Sequence, residues 1–259
     1  MLVSEVMLQQ TPVARVLPRW QEWMSRWPTP ADLAAAPTAE VLRAWDRLGY
    51  PRRALRLKEA AATIAVEHDN EVPDNEEQLR ALPGVGEYTA AAVIAFAHRR
   101  RAVVLDTNIR RVLARADQGS ALPAPSLSRA ERQRAEHLLP ADPETSAQWN
   151  AGVMELGALV CTARAPRCSR CPLRAQCAWL AAGKPADAFA ARRRSQAWQG
   201  TDRKARGQVM AVLRSASAPV TTVDLARAWP AQEQRERVLA GLVADGLAVA
   251  TDTGYVLPQ

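Results

Sequence analysis

The chain has 259 residues, enough to bury one large hydrophobic core or two modest ones, and 48% of them are hydrophobic. No apolar run reaches the length of a membrane span, and the first residues lack the pattern of a secretory signal, so we expect a cytoplasmic protein without a membrane partner. The formal net charge of +7 is consistent with a nucleic-acid partner, although an arginine-rich composition alone would give the same charge.

Apolar residues recur at three- and four-residue spacing along most of the first 160 residues, which predicts a largely helical chain. The predicted helices cover residues 13–27, 39–48, 52–67, 89–99, 107–116 and 145–160. A further short helix after residue 73 is predicted to start with a capping box formed by Asp74 and Glu77. Trp20, Trp23 and Trp27 share one face of the first of these helices, and we assign them to the core.

The composition changes after residue 183. Residues 184–204 lack a periodic apolar face, which predicts a linker. Beyond it, helices are predicted over 205–214, 223–229 and 232–244, followed by two short strands around a turn at 252–254. Three helices and a hairpin in this order are typical of a winged helix, a unit that binds DNA in some proteins and mediates protein contacts in others.

All the cysteines of the chain lie in one short segment with the spacing C-x6-C-x2-C-x5-C. They are Cys161, Cys168, Cys171 and Cys177. In a reducing compartment such a segment favours metal binding over disulfides. Zinc sites with four cysteines usually contain two C-x2-C pairs, whereas this segment has one pair with longer flanking spacings. We therefore favour a [4Fe-4S] cluster over zinc, and either one over inert core cysteines.

The segment LPGVG, residues 82–86, lies between two predicted helices. Its two glycines permit a sharp turn with few side chains in the way. Backbone amides at the start of the next helix would then point outward and favour an anion. The segment resembles the helix-hairpin-helix element, which holds one DNA phosphate without reading the base sequence. The residues expected at the phosphate are Leu82, Gly84, Val85 and Gly86.

Four motifs in this order, SEVMLQQT, LGY, LPGVGxYT and LDTN, resemble those of adenine DNA glycosylases of the MutY type. The cysteine spacing resembles the cluster loop of the same endonuclease III superfamily. The resemblance covers residue 1 to about residue 180 and implies an all-α, two-lobed helix-hairpin-helix glycosylase with a [4Fe-4S] loop. It also implies that basic side chains of the loop neutralise DNA phosphates. These side chains are Arg164, Arg167, Arg170 and Arg174.

We call the segment after the linker the tail. The resemblance, together with the pattern of the tail, predicts four parts of the chain. They are a helical lobe with the hairpin (1–105), a cluster lobe (106–185), a linker (186–204) and a winged-helix-like domain (205–259). Typical members carry a Nudix-like domain that reads 8-oxoguanine, and the tail is too short for that fold. They also carry a segment before the catalytic glutamate, so we hypothesise that the start is misassigned or the chain truncated.

The resemblance implies that Glu5 is the general acid that protonates adenine, because the adenine anion is a poor leaving group. A glutamate does this near neutral pH only if burial raises its pKa. Asp106 would stabilise the resulting oxocarbenium ion by its charge or by a transient covalent bond, and water would complete hydrolysis. Asn108 would orient the substrate or the acid. Without the resemblance, Asp106 is better explained as the N-cap of the following helix.

Gln9, Gln10 and Tyr50 would probe or wedge the duplex while adenine is flipped out of it. Tyr88 occupies the position at which the bifunctional endonuclease III branch carries a lysine nucleophile. Tyrosine cannot form a Schiff base, so the resemblance implies a monofunctional enzyme that leaves an abasic site. Structural alternatives are packing for Tyr88 and a polar helix end for the two glutamines.

We therefore predict a monomeric DNA glycosylase that removes adenine mispaired with 8-oxoguanine or guanine from double-stranded DNA. A thymine–guanine mismatch glycosylase is the first alternative, because such enzymes of the same superfamily also carry tyrosine at the position of Tyr88. A catalytically inactive DNA-binding protein is the second.

Overall fold

A computed structural model of the chain describes residues 1–193 and 199–259. Residues 194–198, which fall in the predicted linker, lie outside the described residues. The chain forms two compact units. The terminal unit comprises residues 2–73, 78–85 and, in its described part, 199–259. The cysteine unit comprises residue 1, residues 74–77 and, in its described part, residues 86–193.

The terminal unit begins with five helices. They are α1 (Leu2–Leu8), α2 (Val13–Arg26), α3 (Pro30–Ala35), α4 (Thr38–Trp45) and α5 (Arg52–Glu67). Helix α5 packs against α1, α3 and α4. The ring of Trp23 is fully buried and meets the rings of Trp27 and Trp45 edge-on, with centroid distances of 5.0 and 5.5 Å. The core assignment is therefore confirmed for Trp23, whereas Trp20 and Trp27 are half-buried.

Several helix ends differ from the predicted ones. Helix α4 ends at Trp45 because Asp46 adopts a φ of +45°, and Leu48 is buried from the following turn instead of from the helix. The short helix α6 spans Glu76–Ala81, so the predicted capping box at Asp74 is wrong. The Asp74 carboxylate instead accepts a hydrogen bond of 2.5 Å from the guanidinium of Arg100.

The described part of the cysteine unit contains five further α-helices. They are α7 (Glu87–Phe96), α8 (Thr107–Ala116), α9 (Arg129–Leu138), α10 (Pro143–Leu159) and α11 (Ala178–Ala181). Helices α7 and α8 pack against α10 around a small-residue core that includes Ala92, Ala95 and Ile109. A Cβ at Gly157 of α10 would lie 2.7 Å from Cβ of Asn108. The glycine therefore lets α10 approach the first turn of α8.

The tail has the predicted order of three helices and a hairpin, with α12 beginning before the predicted start. Its elements are α12 (Asp202–Ser215), α13 (Thr222–Ala228), α14 (Gln232–Ala244), β1 (Val249–Thr251) and β2 (Gly254–Val256). The strands are antiparallel, with Val249 opposite Val256, and Val220 extends the pairing through Tyr255. The all-helical fold class is thus confirmed. Within the described residues, no helix is long and apolar enough to cross a membrane.

Candidate active site and cysteine loop

Asp106 is the N-cap of α8, and both of its carboxylate oxygens are held. Oδ1 accepts hydrogen bonds from the backbone amides of Asn108 and Ile109, at 2.9 and 2.6 Å. Oδ2 accepts one from the side-chain Nδ2 of Asn108, at 2.7 Å. The structural role that the sequence alone suggested is therefore present. The same contacts fix the direction in which the carboxylate presents its charge.

Asn108 is held in turn by Arg111, one turn further along α8. The Arg111 guanidinium donates to Oδ1 of Asn108 at 2.8 Å, to the carbonyl of Gly157 at 2.6 Å and to the carbonyl of Cys161 at 2.7 Å. Arg111 is only 8% exposed. Burial lowers the pKa of its guanidinium, and the Cys161 thiol and the Asp106 carboxylate oppose that shift. One side chain thus connects the Asp106 cap to the start of the cysteine loop.

Arg115 makes a second connection from α8 to the cysteine loop. Its guanidinium donates to the carbonyls of Thr162 and Ala163, at 2.7 and 3.0 Å, and approaches Sγ of Cys161 at 3.4 Å. It also lies 4.6 Å from the ring centroid of Trp179 on α11. Because Arg115 is only 3% exposed, these contacts replace its water shell. The sequence pattern gave no sign of either buried arginine.

The predicted ligand cysteines converge on one cavity. The lining of a cavity of about 20 Å³ includes Cys161, Cys168, Cys171 and Cys177, together with Arg115 and Trp179. Burial raises the pKa of the Cys171 thiol, and the other three cysteines add to the rise. Within the described part of the chain, no three His, Cys, Asp or Glu side chains are arranged to hold a single metal ion. Four thiols around one cavity are a donor set that a metal ion or an iron–sulfur cluster could use.

The outer side of the cysteine loop is basic. All four arginines named from the sequence are exposed: Arg164, Arg167, Arg170 and Arg174. Their contact with phosphate stays a prediction. Their exposure contrasts with the burial of Arg111 and Arg115 on α8, and Arg174 also lines the cysteine cavity.

Glu5 lies in the middle of α1 and is 8% exposed. Burial is the environment expected of a glutamate that acts as a general acid. Glu5 belongs to the terminal unit and Asp106 to the cysteine unit, and their meeting at one nucleotide stays a prediction. Gln9 and Gln10 follow the end of α1, where Gln10 is exposed and has a φ of +56°.

Arg53 of α5 joins the segment of Gln9 and Gln10 to the LGY segment. Its guanidinium donates to acceptors of both segments at 2.7–3.5 Å. The acceptors are the carbonyls of Val6, Met7, Gln9, Leu48 and Gly49 and the hydroxyl of Thr11. The Thr11 hydroxyl adds a hydrogen bond of 3.1 Å to the Leu48 carbonyl. The structure thus links the two segments whose residues Gln9, Gln10 and Tyr50 are predicted to probe the duplex.

Tyr50 stands at the tip of the second of these segments. Its side chain is 44% exposed, and its backbone has a φ of +47°, next to Gly49 at +79°. A non-glycine residue with positive φ is uncommon and costs energy unless neighbouring groups hold it. Arg53 lies 5.6 Å from the Tyr50 ring centroid, below the same turn.

The LPGVG segment forms the turn between α6 and α7. Leu82 and Val85 are buried, whereas Gly84 and Gly86 are exposed. Gly84 has a φ of +78°, and a Cβ there would lie 2.7 Å from Cβ of Arg56. Gly86 has an ordinary φ of −92° as the N-cap of α7, and a Cβ there would meet nothing within 4 Å. The first glycine is thus required by conformation, and the second leaves the helix start uncovered.

A cavity of about 140 Å³ lies beside the turn in the terminal unit. Its lining includes Gln9, Arg52, Arg53, Arg56 and Gly84. Three arginines around an opening next to a glycine turn make a positive site suited to phosphate. Phosphate binding by the hairpin residues stays a prediction.

Tyr88 lies on the first turn of α7 and is half-buried against the small-residue core of the cysteine unit. Its packing alternative is therefore realised in part. The phenol is a weak nucleophile and has no amine, so the side chain cannot open a sugar through a Schiff base.

Comparison with known proteins gives a consistent relationship. The family described as "HhH-GPD superfamily base excision DNA repair protein" matches residues 3–137. The chain is 53% identical over 260 aligned residues to the adenine DNA glycosylase of Mycobacterium tuberculosis, which covers 99% of this chain and 84% of that protein. It is 51% identical over 254 residues to the adenine DNA glycosylase of Mycolicibacterium smegmatis, covering 98% of this chain and 85% of that protein.

Solved structures agree with the sequence relationship. A thermostable thymine-DNA glycosylase superposes with a TM-score of 0.63 and 28% identity, over 70% of this chain and 83% of that one. A trapped endonuclease III–DNA covalent intermediate superposes with a TM-score of 0.60 and 26% identity, over 71% and 84%. With a family match across half of the chain and relatives that match nearly all of it, the chain belongs to the HhH-GPD superfamily of base excision DNA repair proteins.

Proposed function

We propose that this chain is a monofunctional DNA N-glycosylase that removes adenine mispaired with 8-oxoguanine or guanine from double-stranded DNA. The observation that carries the proposal is the similarity to the mycobacterial adenine DNA glycosylases along nearly the whole chain. The buried Glu5 and the fixed Asp106 carboxylate support it, because removal of adenine needs an acid and a nearby anion.

The chemistry assigned to Glu5 is a proton transfer in two directions. Its carboxyl group gives a proton to adenine, and the bond from the base nitrogen to the sugar carbon breaks with both electrons going to the base. Water then attacks the sugar carbon and loses a proton to the Glu5 carboxylate, which restores the acid. Burial of the side chain supports this role because it keeps the transferred proton away from bulk water.

The role assigned to Asp106 is to hold negative charge near the positively charged sugar. Its hydrogen bonds to Asn108 and Ile109 fix the carboxylate before the reaction, so little reorganisation is needed when positive charge develops. Asn108 is the positioning residue, because it holds one carboxylate oxygen with its side chain and receives a hydrogen bond from Arg111.

Tyr88 supports hydrolysis without strand cleavage. With a phenol in place of an amine, the enzyme releases the base and leaves an abasic site. We assign DNA contact to the glycine turn and to the segments held by Arg53, and we propose that the protein acts as a monomer. The flipping of adenine, which would engage Gln9, Gln10 and Tyr50, costs a few kcal/mol that the protein's contacts with the duplex must offset.

We propose that the cysteine loop holds a [4Fe-4S] cluster through Cys161, Cys168, Cys171 and Cys177. When bound, the cluster would crosslink the loop through four thiolates and take no part in hydrolysis. The contacts of Arg111 and Arg115 would orient this loop from α8, and the exposed arginines would then present their charges to the DNA backbone.

One assay tests the proposal against its alternatives. Duplexes with A·8-oxoG, A·G or T·G pairs are incubated with the protein under single-turnover conditions and then treated with alkali. Strand cleavage at adenine that appears only after alkali supports the proposal. Cleavage at thymine would instead support the activity for which the thymine-DNA glycosylase neighbour is named. Binding without any cleavage would identify an inactive DNA-binding protein.

The variant Glu5→Gln tests the role of Glu5 directly, because glutamine keeps the shape of the side chain and cannot donate the acidic proton. We expect its excision rate to fall by about 10²- to 10⁴-fold while its affinity for the duplex changes little. A variant that retained the full rate would contradict the assignment of Glu5.

A further inference from the structure

The LGY turn places Tyr50 in a left-handed backbone conformation that is unfavourable for a tyrosine. Tyr50 has a φ of +47° and carries a large ring that is 44% exposed. A bulky residue in this region is strained, and the strain persists where surrounding groups hold it. Arg53 and Trp45 hold the backbone below the turn, where Nε1 of Trp45 donates to the Gly49 carbonyl at 2.9 Å.

The Tyr50 ring also meets a residue from the tail. The guanidinium carbon of Arg203, on the first turn of α12, lies 4.6 Å from the Tyr50 ring centroid. This distance is within the range of a cation–π contact. With Arg53 at 5.6 Å from the same centroid, the ring has a guanidinium from the N-terminal helices and another from the tail.

The tail is fastened to α4 and α5 at several other points. At the end of α12, Arg43 donates to the carbonyls of Arg214 and Ala216, at 3.3 and 3.4 Å. At the end of α14, Asp245 forms an ion pair of 3.2 Å with Arg52, which follows Tyr50 by two residues.

Arg214 is half-buried, and this partial burial lowers the pKa of its guanidinium while the Asp46 carboxylate opposes the shift. Asp46 directly follows α4, so this charge contact also joins the tail to the N-terminal helices. The tail is therefore fastened to the N-terminal helices at both ends of α12 and at the end of α14, and Arg203 has a defined position over the ring.

We propose that the tail, residues 201–259, is a positioning element for base extrusion, and that Arg203 acts by holding the Tyr50 ring in its exposed, left-handed turn. This inference rests on the proposed function, in which Tyr50 enters the duplex as the base leaves it. A ring held in place needs less ordering when it meets DNA, so extrusion becomes easier. Arg203 is thus a positioning residue whose effect passes through Tyr50.

The test compares Arg203→Ala and Arg203→Lys with the control Arg227→Ala in the full chain. Arg227 lies on α13, is exposed and pairs with Asp224 three residues before it, so the control removes the same charge from the same domain. Single-turnover excision from an A·8-oxoG duplex is measured with saturating enzyme. Base extrusion is followed by the fluorescence of 2-aminopurine placed at the adenine position.

We expect Arg203→Ala to slow excision and lower the extrusion signal by about two- to fivefold, the size of an exposed cation–π contact. Arg203→Lys should recover part of both, because it keeps the cation. Arg227→Ala should behave as the unmodified chain. Equal effects of Arg203→Ala and Arg227→Ala would overturn the proposal, since they would reflect the loss of a charge anywhere in the tail.

A double-mutant cycle with Tyr50→Ala separates positioning from direct DNA contact. If Arg203 acts through the ring, Arg203→Ala has no further effect in the Tyr50→Ala background. A full effect in that background overturns the proposal and assigns Arg203 to the DNA itself.

If the unmodified chain removes no adenine, the proposed function fails, but the positioning role of Arg203 can still be tested. Hydrogen exchange of the free protein measures that role without DNA. The backbone amides of residues 48–50 and 52–53 should then exchange faster in Arg203→Ala than in Arg227→Ala. Equal exchange in both variants would overturn the positioning role.

Discussion

Asp106 and Cys161 are joined by an unbroken series of hydrogen bonds through two side chains. The Asp106 carboxylate accepts from Asn108, and Arg111 donates both to Asn108 and to the Cys161 carbonyl. The candidate catalytic anion and the first residue of the cysteine loop are therefore positioned by the same guanidinium. A disturbance of the loop should reach the carboxylate through this one residue.

We expect Arg111→Ala to lower both stability and excision. The variant leaves the acceptors on Asn108, Gly157 and Cys161 without this donor, and loss of hydrogen bonds to a charged group should cost about 2–4 kcal/mol. A displaced Asp106 carboxylate should slow excision by up to about 100-fold. Denaturant unfolding and single-turnover kinetics measure the two effects. The exposed Arg129→Ala on α9 is the control, and an equal result for both variants would contradict the role of Arg111.

Substitution of Asp106 should separate its capping role from its charge. Asparagine is as good an N-cap as aspartate, so Asp106→Asn should unfold at nearly the same denaturant concentration as the unmodified chain. Asp106→Ala should lose about 1 kcal/mol from the missing cap. Both variants lack the anion, and we expect both to lose most of the excision rate. Full activity of Asp106→Asn would show that the cap alone matters.

The cysteine loop should carry iron. We expect the purified chain to be brown and to contain iron and acid-labile sulfide in roughly equal amounts, as a cubane requires. Cys171→Ser should reduce both contents and weaken DNA binding, because the loop would no longer hold its arginines in place. Ser169→Ala, at an exposed position of the same loop, should change neither. A colourless protein with one zinc per chain would contradict the cluster.

The two glycines of the LPGVG turn should respond differently to alanine. Gly84→Ala imposes a Cβ on a φ of +78° and on Cβ of Arg56, so we expect a loss of about 1–3 kcal/mol in unfolding free energy. Gly86→Ala has an ordinary φ and open space, so its stability should change little. If its amide binds phosphate, Gly86→Ala should weaken DNA binding without loss of stability. Equal destabilisation by both substitutions would contradict the distinction.

Asp202 should make the stability of the tail depend on pH in the acidic range. Hydrogen bonds from Arg237 and Gln234 lower the pKa of its carboxyl group to about 2. A depressed carboxyl pKa stabilises the fold above the unfolded value of about 3.9, and that contribution disappears as the pH falls to about 2. The melting temperature of Asp202→Asn should therefore lie below that of the unmodified chain at pH 7, and the difference should vanish near pH 2. The exposed Asp252→Asn is the control.

Helix periodicity predicted much of the fold. Helices α5, α8 and α14 have the bounds expected from their apolar spacing. Helix α9, with the sequence RAERQRAEHL, was not predicted because it is polar on most of its surface and buries only Ala135. Helix α1 is too short to show a period, and its burial depends on packing against α2 and α5.

The sequence predicted the reactive and ligand residues of the site but not the arginines that hold them in place. Glu5, Asp106 and the cysteines were found through motifs. Arg53, Arg111 and Arg115 were missed, because an arginine on a helix usually belongs to a solvated face. The acceptors of these arginines include main-chain carbonyls that lie more than 40 residues away, which no local pattern reveals. Their position next to apolar residues within helices is a weak signal at best.

The Arg53 guanidinium couples the segment of Gln9 and Gln10 to the LGY segment. It binds carbonyls on both sides at once, so neither segment can swing away while the other keeps all its contacts. We therefore expect the two segments to move away from α5 together, in one cooperative step. A DNA duplex would then contact both segments or neither of them.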